Sequence, residues 1–307
     1  MRIFPLLLIA LSLQAGEGTH VLVLGTAQDG GLPQIGCREA RCEAARERPE
    51  RRRLVASLAI IGRGKRWLID ASPDLPEQVA LLGPHGDQQM RDGRRPKIFD
   101  GIFLTHAHMG HYTGLLQLGP EAYNHQTIPL YGSARMLDYL QKNGPWSLLF
   151  QNKNLAPVVL EPDKPLALDD EITITPFVVP HREEFSDTLG YIIRGPEQAL
   201  LYIPDIDKWS RWAVAVEEKI AQVDYALLDG TFFADGEIPG RPMAEIPHPF
   251  IQESIERFQK LPKTERLKIH FTHLNHTNPA CDFGGEAQQS LGKHDFRVVA
   301  DGEIFGL

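Results

Sequence analysis

The chain has 307 residues, 42% hydrophobic and 23% charged, a composition that fits a soluble globular protein with one large α/β core or two small ones. Its formal net charge of −8 excludes the basic surface needed for broad nucleic-acid binding, and its three cysteines are too few for a disulfide scaffold.

The N-terminus reads as an export signal. Met1-Arg2 is a short positive start, and Ile3 to Leu13 is an apolar run too short to span a bilayer comfortably. Small residues follow, with cleavage placed after Ala15. Residues 1–15 are therefore expected to be a signal peptide, and the mature protein periplasmic or secreted, without stable membrane insertion. If the segment is not a signal, the expected location is cytoplasmic.

From His20 to Gly25 a continuous apolar run has the pattern of a strand buried on both faces. The loop Thr26 to Pro33 contains Gly30-Gly31, which let backbone approach a ligand and are expected to shape one wall of a site. It lacks the Lys and Ser/Thr of a phosphate-binding loop. Cys37 and Cys42 fit half a zinc site, a disulfide or free thiols, and export favours a local disulfide. Arg38 to Arg53 reads as a solvated, partly helical face, with Arg51-Arg52-Arg53 on the surface. Ser57–Gly62 and Arg66–Asp70 form a hairpin-like pair, and Leu75 to Leu82 a helix. Asp70 suits either a hydrogen bond that orients a histidine or a helix cap.

The run Gly101 to Leu104 then ends in Thr105-His106-Ala107-His108-Met109-Gly110-His111. A buried strand that delivers three imidazoles within six residues is suited to a metal site, because the strand fixes the backbone and neutral ring nitrogens can converge on a cation. Further on, Ile128–Gly132 reads as a strand and Ala134 to Lys142 as a helix capped by Ser133. Gly144 to Asn154, with Trp146 and Phe150, reads as a lid, a substrate-side insertion or core. Glu171 to Val179 leads to His181, Ala199–Ile203 to Asp205 and Asp207, Tyr225–Leu228 to Asp229, and Leu267–Phe271 to His273 and His276. Five strands that each end in His or Asp describe one constellation at a sheet edge. His248 is read either as reaching this site or as lying in a loop.

On these residues the chain resembles the metallo-β-lactamase fold superfamily, and within it the pyrroloquinoline quinone biosynthesis protein B-like branch. Gly25–Gln34, Ile69–Asp74, Asp229–Phe232, His273–Pro279 and Val298–Ile304 support the branch. The resemblance spans residues 20–307 as a single domain. It implies an α/β four-layer αββα sandwich of two mixed sheets with metal at one end. His106, His108 and His181 are implied to hold a first metal, Asp205 to bridge, and His111 and His273 to belong to a second. Gly110 stands where the family motif has a metal-ligating Asp, so the second position is expected to be weakened, with His276 compensating and Asp207 or Asp229 poorer candidates. Glu39 replaces the middle residue of the branch's Cys-x-Cys-x-x-Cys cluster.

Three imidazoles and a carboxylate suit Zn²⁺, with Fe or Mn admissible. Such a metal lowers the pKa of bound water to about 7, giving a hydroxide that can attack an ester, lactone, amide or phosphodiester. Asp205 is then expected to orient the hydroxide, and His276 or the neighbours of His181 to assist proton transfer on a small-molecule substrate. The biosynthetic resemblance makes a mononuclear iron-dependent oxygenase the alternative, and a non-catalytic binding protein with a relic site the third reading. Specificity is assigned to the loops Gly30–Gly36, Gly144–Asn154 and Phe232–Phe250.

Overall fold

In the computed structural model, which describes residues 18–83, 95–125 and 127–307, the apolar runs pair into two seven-stranded sheets. The segment read as a signal peptide lies outside the described residues. β1 (His20–Gly25), β2 (Ser57–Gly62), β3 (Lys65–Ile69), β4 (Gly101–Phe103), β5 (Ile128–Gly132) and β6 (Leu155–Val159) follow one another across the first sheet. The second holds β7 (Leu166–Ala167), β8 (Thr173–Val179), β9 (Thr188–Arg194), β10 (Ala199–Ile203), β11 (Tyr225–Asp229), β12 (Ile269–Thr272) and β13 (Arg297–Val298). The chain then returns as β14 (Ile304–Gly306), antiparallel to β1.

Side-chain alternation sets the layers, because successive residues of a strand face opposite sides. Along β10, Leu200 and Tyr202 enter the core between the sheets, while Leu201 and Ile203 face the helices outside. In β1, Val21 and Val23 point inward and Leu22 and Leu24 outward. The helices Leu75–Leu82 and Ala134–Lys142 cover the first sheet. Val216–Ile220, Ile251–Phe258 and Glu286–Lys293 cover the second. This is the expected αββα sandwich. Ser133 caps its helix as expected, accepting from Met136 N at 3.1 Å.

Strand direction then places the site. β3, β4 and β5 are parallel, as are β10, β11 and β12. β9 pairs antiparallel with both β8 and β10, so β8 runs the same way as β10. The C-terminal ends of β4, β8, β10, β11 and β12 therefore deliver His106, His181, Asp205, Asp229 and His273 to one edge.

Several local expectations are corrected. Arg53 is not on the surface: it is 1% exposed and donates to Thr26 Oγ1 at 2.9 Å and Val299 O at 3.2 Å. The buried guanidinium is stable there because hydrogen bonds replace its hydration. Cys37 and Cys42 are free thiols, not a disulfide. Of the readings of Gly144 to Asn154, the structure bears out core: Leu149 is buried, and Trp146 packs on Tyr112 with ring centroids 5.0 Å apart. The sequence reading did not place β6 or β9.

Candidate metal centre

The turn after β4 converges with the ends of β8 and β10. His106 Nε2 lies 2.8 Å from His108 Nδ1, which lies 3.2 Å from His181 Nε2. Asp205 completes the group, its Oδ2 3.2 Å from His106 Nε2 and its Oδ1 3.2 Å from His181 Nε2. These four donor atoms lie within 4.8 Å of one another. Donors around a tetrahedral zinc at about 2.0–2.1 Å stand roughly 3.3 Å apart, close to these spacings.

A second group adjoins the first through the same carboxylate. Asp205 Oδ2 is 3.7 Å from both His111 Nε2 and His273 Nε2. Asp29, on the loop after β1, is the third member, its Oδ1 3.8 Å from His111 Nε2.

The outward nitrogens of His106, His111 and His273 are hydrogen-bonded, which fixes which atom of each ring faces inward. Thr105 Oγ1 donates to Asp70 at 2.9 Å and so accepts from His106 Nδ1 at 3.0 Å. Asp70 Oδ2 accepts from His111 Nδ1 at 2.7 Å. Of the two roles open to Asp70 in the sequence, the structure shows the orienting one. Thr231 Oγ1 donates to Asp229 Oδ1 at 2.7 Å and accepts from His273 Nδ1 at 2.9 Å. His108 Nε2 faces Glu184 Oε2 at 3.2 Å, and His181 Nδ1 stands 3.5 Å from Asp207 Oδ1.

The electrostatics favour a cation. Burial holds His106 and His273 below the usual imidazole range, in the neutral form a ligand requires. Burial works against the charge on His111 and His181 too, but Asp70 lifts the first to about 9 and Asp205 the second to about 10. Burial alone would raise Asp205, yet the surrounding His181, His273 and His248 hold it well below the carboxylate range. His111 Nε2, His273 Nε2 and Asp205 Oδ1 are buried without a hydrogen-bond partner among the described residues. Each such atom costs about 1–3 kcal/mol if left unmatched, so the convergence fits a bound metal ion, and the imidazole–carboxylate donor set suits zinc, iron or manganese.

One sequence expectation changes here. His276 belongs to neither group: its Nδ1 lies 3.5 Å from Cys42 Sγ, and its ligand-capable neighbours are Cys37 and Cys42. Arg41, on the helix Ala40–Glu47, donates to His276 O at 3.1 Å and holds the residue beside the thiols of that segment. Asp207 and Asp229 contact His181 and Thr231 from behind and are not members of the second group. His248 does reach the site, its Nδ1 2.8 Å from Asp229 Oδ2 and 3.1 Å from Asp205 Oδ1. Asp29, which sequence reasoning missed, was legible only as the complement of Gly110.

A cleft of about 410 Å³ opens beside the histidines, lined by Gln28, Asp29, Met109, Arg182, Phe232, Arg241, His248 and Asn275. The loops after β1 and β11 thus border the site as expected, whereas Gly144–Asn154 does not contribute to this cleft.

Residues 65–271 match the family model of the beta-lactamase superfamily domain, and the chain belongs to that family. It is similar to coenzyme PQQ synthesis protein B of Methylobacterium radiotolerans, 28% identical over 318 residues that cover 94% of this chain and 100% of that protein. Among solved structures it resembles Zn²⁺-bound PqqB from Methylobacterium extorquens, with a TM-score of 0.78, 23% identity, and coverage of 94% of this chain and 100% of the other. A diphosphatase of the PhnP family shares the fold at a TM-score of 0.66 and 22% identity, over 94% of this chain and 97% of its own.

Proposed function

We propose that the chain is a metal-dependent hydrolase of small anionic esters, phosphodiesters foremost. The observation that carries this reading is the position of Asp205, whose carboxylate is shared by two histidine groups, beside a cleft that Asp29 and His248 line. In this reading His106, His108 and His181 hold a first ion, Asp205 bridges, and His111 and His273 serve a second. Zinc is the expected metal. A bound divalent ion of this kind acidifies water and polarises an electrophilic oxygen.

The chain's own residues supply the rest. Arg182 and Arg241 line the cleft and give an anionic substrate two guanidinium partners. His248 is held through Nδ1 by Asp229, which leaves Nε2 to donate a proton to the leaving oxygen. Burial opposes its protonated form, but Asp229 and Asp205 outweigh that and raise its pKa, as a proton donor requires. This replaces the proton-transfer role expected of His276.

The test is hydrolysis of bis(4-nitrophenyl) phosphate and 4-nitrophenyl acetate by protein loaded with Zn²⁺ or Mn²⁺, in air and under argon. Turnover independent of O₂ and abolished by chelation supports the reading, and His248→Ala is expected to lower kcat by roughly 10²–10⁴-fold. The alternative is an iron-dependent oxygenase of cofactor biosynthesis, favoured by the similarity to PQQ synthesis protein B and by a cluster of three histidines and one carboxylate that also suits Fe(II). Turnover only with iron and O₂, without hydrolysis, would move the assignment there. We further propose that residues 1–15 are a signal peptide and residues 20–307 one domain. Mass measurement of the exported protein tests the cleavage after Ala15.

A further inference from the structure

We infer that Asp29 is the carboxylate ligand of the second metal position, moved from the histidine motif to the loop after β1, and that Gly110 is the residue that makes room for it. This rests on the metal centre proposed above.

The geometry is specific. A Cβ built on Gly110 would lie 2.3 Å from Asp29 Oδ1 and 2.8 Å from Asp29 Cα. The Asp29 side chain therefore occupies the volume that any side chain at 110 would take. Gly110 N donates to Asp29 Oδ1 at 3.0 Å, which fixes the carboxylate in that space. The backbone of Gly110 does not require glycine: it sits in the helical turn Met109–Tyr112, outside the left-handed region, where alanine is conformationally acceptable. The absence of a side chain there is explained by Asp29, not by φ.

The loop is also tied to the strand end that carries the other histidine. Gln28 N donates to Leu274 O at 2.9 Å, and Leu274 N donates to Thr26 O at 2.8 Å. Asp29 and His273 thus sit on cross-bonded segments, and their separation is set by backbone. Asp29 Oδ1 stands 3.8 Å from His111 Nε2, and the Asp29, His111 and His273 donors lie within 4.8 Å of one another. Two ligands at 2.0–2.2 Å from one ion stand between about 3.4 Å (tetrahedral) and about 4.2 Å (opposed), and 3.8 Å falls in that interval. The buried, partnerless Nε2 atoms of His111 and His273 are an independent sign that a ligand belongs among them.

The exchange explains why a chain with glycine in the metal motif keeps His111 and His273 oriented by Asp70 and Thr231. The second position keeps a carboxylate, supplied from 81 residues earlier in the chain.

The test titrates chelator-treated protein with Zn²⁺ and counts bound ions by elemental analysis and calorimetry, using the wild type, Asp29→Asn, Asp29→Ala, Gly110→Ala and, as a first-position control, His108→Ala. Asp29→Asn keeps the shape and the acceptor for Gly110 N but removes the charge. The expected result is two equivalents in the wild type. Both Asp29 variants and Gly110→Ala should retain one tight equivalent and bind the second at least tenfold more weakly, while His108→Ala weakens the other equivalent. Unchanged metal-free melting temperatures in Asp29→Asn and Gly110→Ala would show that the fold is kept. Two tight equivalents in Asp29→Asn, or a single equivalent in the wild type, would overturn the inference. The count does not depend on activity: two Asp29-dependent ions without hydrolysis would sink the hydrolase reading and leave this one standing.

Discussion

Asp70 is fully buried with a left-handed backbone, φ of 64°, a conformation that costs a non-glycine residue energy unless its surroundings enforce it. Its carboxylate accepts from Thr105 N, Thr105 Oγ1 and His111 Nδ1. Asparagine has one acceptor oxygen and would turn an N–H toward His111, selecting the tautomer whose Nε2 carries a proton and cannot bind metal. Asp70→Asn is therefore expected to weaken the second Zn²⁺ equivalent by roughly 10–100-fold, read by calorimetry. The thiols offer a separate check. Cys281 is buried and pushed up to about 12 by that burial, whereas Cys37 is half-buried. Iodoacetamide on native protein should label Cys37 and spare Cys281 until denaturant is added, as followed by peptide mass. At this scale the histidine motif was legible because its spacing is local. Asp29 was not, since an Asp before two glycines reads as a turn former and its meaning appears only against Gly110. His248 was ambiguous because its Asp229 partner is fixed by a long loop.

Among the elements, the connection after β1 depends on a buried polar group that no periodicity encodes. Thr26 Oγ1 donates to Asp301 Oδ1 at 2.6 Å, Leu54 N donates to Asp301 Oδ2 at 2.7 Å, and Arg53 Nη1 donates to Thr26 Oγ1 at 2.9 Å. This joins the loop that carries Asp29 to the turn before β14. Burial raises Asp301 to about 6 against hydrogen bonds that lower it. The folded state thus binds a proton that the unfolded chain, at about 3.9, has already released. Between these values the native state holds more protons at this site, so the contribution of Asp301 to stability falls as pH rises from about 4 to about 6. Urea unfolding across that range should show the stability of Asp301→Asn gaining on that of the wild type as pH rises. Strands with continuous apolar runs, such as β10, were readable. β9 was obscured by Gly190, which is glycine because a Cβ would meet Phe177 Cε2 at 2.6 Å. Arg53 was misread because its partners are backbone oxygens and a hydroxyl far along the chain.

For the whole molecule, the two sheets meet in one core and the site forms where their edges face each other, so metal binding and fold stability are linked. Ligands from both sheets, His106 and His111 from one and His181, Asp205 and His273 from the other, are held together by any ion between them. An ion present at 100 times its Kd adds about 2.7 kcal/mol to stability, which for a domain of this size corresponds to a few degrees in Tm. Chelation should lower Tm by that amount, and Zn²⁺ should restore it, in differential scanning calorimetry. In Asp205→Asn the restoration should be largely lost. The most direct measurement is anomalous X-ray diffraction at the zinc edge from crystals of Zn²⁺-loaded protein. One peak is predicted among His106, His108, His181 and Asp205, and a second among Asp205, His111, His273 and Asp29. No peak at these histidines, or zinc confined to Cys37, Cys42 and His276, would contradict the account.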